Sequence, residues 1–250
     1  MAGTESHSGV LVLAHRGLSE TRGLLENSIA AFSLALETGA NVLETDVQVT
    51  RDGVPVLFHD ASLKRIAGVD RRVSQLTWAE IQLLLEGQIC SLEQALTALP
   101  KAFFNLDIKT RAAAVPSAAV INRLKVQDRV RVTSFSETRR RRAVRSIDGR
   151  VASSASAFLL LLVYLSAQIG WLKGISLVTR QIDSLQIPRR QGRLRFDTPR
   201  FIESAKLAGL EVHYWTINSP AEMRELIGLG ADGLVTDRCD LAVNIAKNRL

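Results

Sequence analysis

Two carboxylates, Glu44 and Asp46, stand two positions apart in the run LETDV, and a third, Asp107, stands in NLDIK with Lys109 two residues further on. Residues two apart on a β-strand share one face, so each of these pairs converges if its segment is a strand. Carboxylates crowded on one inward face repel each other, and burying them unpaired costs several kcal/mol. A divalent cation relieves that strain. All-oxygen ligation without cysteine favours a hard ion, Mg²⁺ or Ca²⁺, over zinc. His15 and Arg16 close the apolar run VLVLA, where their side chains would point into the mouth of a barrel.

The elements that must position these groups are legible as an alternation. Short β-branched-rich segments fall at residues 10–14, 42–46, 103–108, 129–134, 151–154, 183–187, 211–216 and 233–236, with amphipathic stretches such as 28–37, 112–124, 138–146, 199–208 and 221–229 between them. Strand and helix alternation predicts a parallel sheet, and eight units in 250 residues predict closure into a TIM-type (β/α)8 barrel of the α/β class. One domain over residues 1–250 is expected. Between strands 2 and 3 the alternation breaks, at approximately 54–100, with an extended segment at 54–59 and helical stretches at 78–85 and 92–99. A small insertion there sits at the C-terminal face, where it can wall one side of a pocket.

The ordered motifs HRG at 15–17, EN at 26–27, ETDVQ at 44–48, TRDG at 50–53, HD at 59–60, SLE at 91–93, DIK at 107–109, WTIN at 215–218 and ADGLVTD at 231–237 run nearly end to end. In order and spacing they resemble the glycerophosphodiester phosphodiesterase family. The resemblance implies metal ligation by Glu44, Asp46 and Asp107, acid and base roles for His15 and His59, phosphate binding by Arg16 and Lys109, and Trp215 lining the pocket. The family often has Glu where this chain has Asp107, which is one methylene shorter and leaves direct or water-mediated ligation open. The implied reaction is metal-dependent hydrolysis of a glycerophosphodiester to an alcohol and glycerol 3-phosphate. Elementary chemistry agrees: a phosphodiester needs its oxygens neutralised, its nucleophile deprotonated and its leaving alkoxide protonated.

Bland readings stand beside these. Glu26 and Asn27 serve either as helix capping near Ser28 or, for Glu26, in the pocket. His213 is expected to be structural, His7 to lie in a disordered polar start, and Asp232 and Asp237 to serve capping and loop hydrogen bonds. The runs Arg139–Arg142 and Arg189–Arg195 are expected to be solvated faces.

Lys and Arg exceed Asp and Glu by 32 to 25, which favours an anionic partner. The apolar stretch 155–172 is expected to be a buried barrel helix, with peripheral contact to anionic lipid as the alternative; no nucleic-acid partner is expected. Cys90 and Cys239 form no metal or disulfide pattern, and the polar first ten residues lack a secretory signal, so a cytoplasmic location is expected. Two other functions fit less well: a lysophospholipid phosphodiesterase using the same site, and a non-catalytic binder of anionic ligands.

Overall fold

The computed structural model describes residues 9–247, so the expectation for His7 lies outside the described residues. Most of the strands are short runs of Val, Leu, Ile and Phe bounded by turn residues. In chain order they are β1 (Leu11–His15), β2 (Val42–Val49), β3 (Pro55–Leu57), β4 (Phe103–Ile108), β5 (Val130–Thr133), β6 (Ala152–Ser153), β7 (Ser184–Ile187), β8 (Arg190–Gln191), β9 (Leu194–Arg195), β10 (Glu211–Tyr214) and β11 (Gly233–Thr236). Eight of them pair in the order β6-β5-β4-β2-β1-β11-β10-β7. Every neighbouring pair on this path is parallel. The two ends meet through a parallel bridge between Ser154 and Ser184, with Asp183 N donating to Ser153 O at 2.7 Å and Ala155 N to Ser184 O at 2.9 Å. The expected TIM-type barrel is therefore the observed fold.

Helices alternate with the barrel strands because a small polar residue repeatedly stops the strand and starts the turn. Ser28, Ser91, Ser136, Ser156 and Thr198 each accept a backbone N–H of the first helical turn. At the start of helix Ile29–Thr38 the cap is Ser28, so neither Glu26 nor Asn27 performs it.

After β2 the chain turns back as β3, antiparallel to β2 with Val47 opposite Leu57. Val56, Phe58, Leu63, Leu76 and Ile81 build a second, smaller apolar cluster there. Helix Leu92–Ala98 instead joins the main core through Leu92, Ala95 and Leu96, as the outer helix before β4. The inserted layer thus ends before that helix.

The arginine runs depart from the solvated reading. Arg140 is 2% exposed, its guanidinium donating twice to Glu137 at 2.8 Å and once to Ser153 Oγ at 2.9 Å. A guanidinium has five donors in a fixed fork, and here the fork ties helix Glu137–Ser146 to β6. Arg189 is likewise committed, to Asp197, Glu222 and Glu225 at 2.8–2.9 Å. Arg141, Arg142, Arg190 and Arg193 are exposed as expected. Arg140→Met should lower unfolding stability by about 3 kcal/mol, because it strands Glu137 and the Ser153 hydroxyl. A urea titration giving a loss under about 0.5 kcal/mol, the range of surface exchanges, would remove that role.

The stretch 155–172 divides into helix Ala157–Gln168 and the start of helix Leu172–Val178, broken at Gly170. Among the described residues no helix is long and apolar enough to cross a membrane. Leu159, Leu160, Val163 and Ala167 are buried against the barrel, whereas the outer face of the first helix is exposed.

Candidate active site

Strand register brings the chemistry together. His15 at the end of β1 lies beside Glu44 on β2, and Asp46 on β2 lies beside Asp107 on β4. Adjacent partners in a parallel sheet share a face, so these four side chains enter the barrel mouth together. Arg16 and Gly17 then turn the chain sharply, both with positive φ (57° and 86°). Only glycine fits at position 17, where a Cβ would lie 2.7 Å from the backbone carbon of Ala31. The turn holds Arg16 N against Glu44 O at 2.9 Å and aims the Arg16 side chain across the mouth.

All eight residues singled out in the sequence, His15, Arg16, Glu44, Asp46, His59, Asp107, Lys109 and Trp215, line one cavity of about 250 Å³. Lys109 Nζ stands between two carboxylates, 2.6 Å from Asp46 Oδ1 and 2.7 Å from Asp107 Oδ2. Arg16 Nε is 3.2 Å from Asp46 Oδ2. Burial opposes ionisation of Asp46, but Lys109 and Arg16 outweigh it and hold the carboxyl below its ordinary range. Burial also opposes charge on Lys109, and Asp46 and Asp107 outweigh it, raising its pKa. Asp107 is shifted upward by burial despite Lys109. Glu44 is pushed up to about 8 by burial and by Asp46.

Two buried oxygens, Glu44 Oε2 and Asp107 Oδ1, have no hydrogen-bond partner among the described residues. As arranged, no group of three Asp, Glu, His or Cys side chains among the described residues forms a metal cage, and Lys109 occupies the space between Asp46 and Asp107. The donor chemistry nevertheless fits a hard cation, since orphaned carboxylate oxygens at the mouth are what such an ion ligates.

Each mouth histidine rests on a carboxylate. His15 Nδ1 is 2.6 Å from Asp237 Oδ1, and Asn218 Nδ2 donates to the other oxygen at 2.7 Å. His59 Nδ1 is 2.7 Å from Asp60 Oδ1, and Arg65 Nε donates to Asp60 Oδ2 at 2.6 Å. Burial opposes ionisation of both acids, but their hydrogen bonds prevail and keep both below the ordinary carboxylate range. An ionised carboxylate only accepts, so each Nδ1 carries the proton and each Nε2 is left for other partners. For His15, burial disfavours the charged ring, yet the Asp237 bond and Glu44 together raise its pKa.

Sequence reasoning missed these two supports. Local sequence around Asp237 points only to capping and loop bonds; barrel closure sets β11 beside β1 and carries Asp237 to His15. The available signal was the closure itself, which makes the last strand the neighbour of the first. Asp60 follows His59 directly in the HD motif. Glu26 is not one of these eight but joins them through Arg65, at 2.5 and 3.1 Å, and through Arg16 at 3.4 Å. Asn27 donates to Asp46 Oδ2 at 3.5 Å and accepts from Thr45 Oγ1 at 2.7 Å. Trp215 is half-buried with its ring edge-on to Phe135, centroids 5.6 Å apart. His213 is fully buried beside Arg131 and Glu211, away from the mouth, in keeping with a structural role.

Fold and mouth together define a TIM-type barrel enzyme. The chain belongs to the glycerophosphoryl diester phosphodiesterase family, whose family model matches residues 15–241. A Mycobacterium tuberculosis protein named probable glycerophosphodiester phosphodiesterase 2 is 40% identical over 238 residues, 94% of this chain and 90% of the relative. The mouse lysophospholipase D GDPD3 is 27% identical, with 91% of this chain and 79% of the relative covered. Among solved structures, the glycerophosphodiester phosphodiesterase of Thermotoga maritima superposes with a TM-score of 0.75 at 27% identity, covering 96% of this chain and 99% of that one.

Proposed function

We propose that this chain hydrolyses glycerophosphodiesters to an alcohol and glycerol 3-phosphate, with His15 and His59 as the acid and base and a divalent cation, Mg²⁺ or Ca²⁺, held by Glu44, Asp46 and Asp107. The observation that carries this reading is the convergence, in one cavity, of two carboxylate-supported imidazoles with Lys109, Arg16 and three further carboxylates. When bound, the cation would neutralise charge on the phosphate oxygens and polarise the phosphorus.

The protein's own groups do the rest. Arg16 and Lys109, both now engaged with Asp46, are placed to bind phosphate oxygens and counter the charge that builds on them. One imidazole takes the proton of the attacking oxygen, from water or from the neighbouring glycerol hydroxyl. The other gives a proton to the departing alcohol. If the glycerol hydroxyl attacks, a cyclic phosphate forms first, and water opens it with the two imidazoles exchanging roles. Asp237 and Asp60 fix the tautomers and ring orientations throughout.

A second reading, a lysophospholipid phosphodiesterase, is favoured by one observation. Phe135, Leu160, Trp215 and Val235 give the same cavity an apolar lining, Phe135 and Trp215 in edge-to-face contact, of the kind that receives an acyl chain. The two are separated by comparing glycerophosphocholine with lysophosphatidylcholine. Glycerol 3-phosphate released from glycerophosphocholine with the higher kcat/KM supports the first reading; faster turnover of lysophosphatidylcholine selects the second.

A further inference from the structure

Helix Ala157–Gln168 is apolar nearly all round, yet it is covered on one side only. Such a helix is ordinarily enclosed on every side. Phe158, Leu161 and Leu165 repeat at three- and four-residue spacing along its outer face with exposures of 58%, 44% and 53%. Ile169 at the end of this helix and Trp171 just past the break at Gly170 are also exposed, at 74% and 54%, and Leu177 on the next helix adds 55%. Contiguous exposed patches of this kind mark interaction surfaces, whereas scattered single apolar residues do not.

What borders the stripe indicates its occupant. Phe158 and Leu177 share a surface groove with the exposed arginines Arg141 and Arg180. Arg141 also lines the adjoining groove, where Arg142 and Arg145 stand exposed without an acidic side-chain partner among the described residues. Among the described residues Glu137 is the one acid in these grooves; it is bound at 2.8 Å to the buried Arg140 and lies at a looser 3.7 Å from Arg141. A second copy of this chain meeting the same face in a two-fold interface would bring arginines to arginines with no free acid among the described residues on either copy's face to pair with them, an arrangement that repels. Anionic lipid headgroups beside an acyl layer match both halves of the patch, apolar and cationic. Spanning is excluded by length: twelve helical residues reach about 18 Å, short of the ~30 Å hydrocarbon core.

We infer that the outer face of helix Ala157–Gln168, with Arg141, Arg142 and Arg180 at its border, docks this protein peripherally onto anionic membrane surfaces. The inference is independent of the catalytic reading, since none of these side chains lines the active cavity. The same helix begins at that cavity, where Ala157 and Leu160 form part of the wall. Docking therefore sets the mouth next to the source of lipid-derived diesters.

The test is co-sedimentation of the full chain with vesicles of phosphatidylcholine alone and of phosphatidylcholine mixed with phosphatidylglycerol. Binding should require the anionic lipid and weaken as salt rises. The R141E/R180E variant should bind at least about 20-fold more weakly, at a worth of roughly fivefold per arginine near an anionic surface. L161S/L165S should lose binding as well, while both variants keep wild-type turnover of a water-soluble diester, which certifies their folding. Equal retention on neutral and anionic vesicles, or none on either, would overturn the inference. So would a dimer detected by light scattering that L161S/L165S dissolves, because the stripe would then be covered by a second copy.

Discussion

His15→Ala and His59→Ala are each expected to lower kcat by about 10²- to 10⁴-fold, the usual worth of a general acid or base. The expectation rests on position. His15 closes β1 beside Glu44, His59 follows two residues after β3, and both line the one cavity. Each ring has its Nδ1 anchored on an acid, a support for a residue that must pass a proton from its other nitrogen. Asp237→Asn should follow His15→Ala with a smaller loss, since it misorients the ring without removing it. A steady-state assay on glycerophosphocholine reads both effects in kcat. Losses below about threefold for both histidines would sink the assignment, being far short of that range.

Lys109→Met should reduce kcat by about 10²- to 10³-fold, as removal of a preorganised charge aimed at a developing oxyanion does. Its ammonium lies 2.6 and 2.7 Å from two carboxylates and lines the cavity where the phosphate would bind. Neutral methionine keeps the length of the chain and discards the charge. Lys109 also lessens the repulsion between Asp46 and Asp107, so the variant should bind a divalent cation no more weakly than the wild type. Reduced kcat together with retained metal binding, followed by calorimetry, would mark a phosphate-binding role. Unchanged kcat would assign Lys109 to neutralising those carboxylates alone.

Much of this site was legible because strand geometry is a strict code. The two-residue spacing of Glu44 and Asp46, and of Asp107 and Lys109, needs only a period of two to put each pair on one face; the register of β2 with β4, which sets Asp46 beside Asp107, is visible only in the structure. The eight barrel strands were readable for the same reason, as short apolar runs between capping residues. What escaped were contacts made by closure or by depth. Asp237 meets His15 across 222 positions of sequence, a distance that no local pattern reports. Arg140 is one of four consecutive arginines, and only the packing of its helix on β6 separates it from its solvated neighbours. The exposed side of helix Ala157–Gln168 was equally hidden, because uniform apolarity along a helix carries no record of which face finds a partner.

Cation-assisted phosphodiester hydrolysis centred on Glu44 stands or falls on one assay. Release of glycerol 3-phosphate from glycerophosphocholine is followed after chelation, after restoring Mg²⁺ or Ca²⁺, and in Glu44→Ala. Activity abolished by chelator, recovered with one of the two ions and absent from the folded variant is the result expected. Full activity in chelator, or a variant that turns over like the wild type, would contradict it.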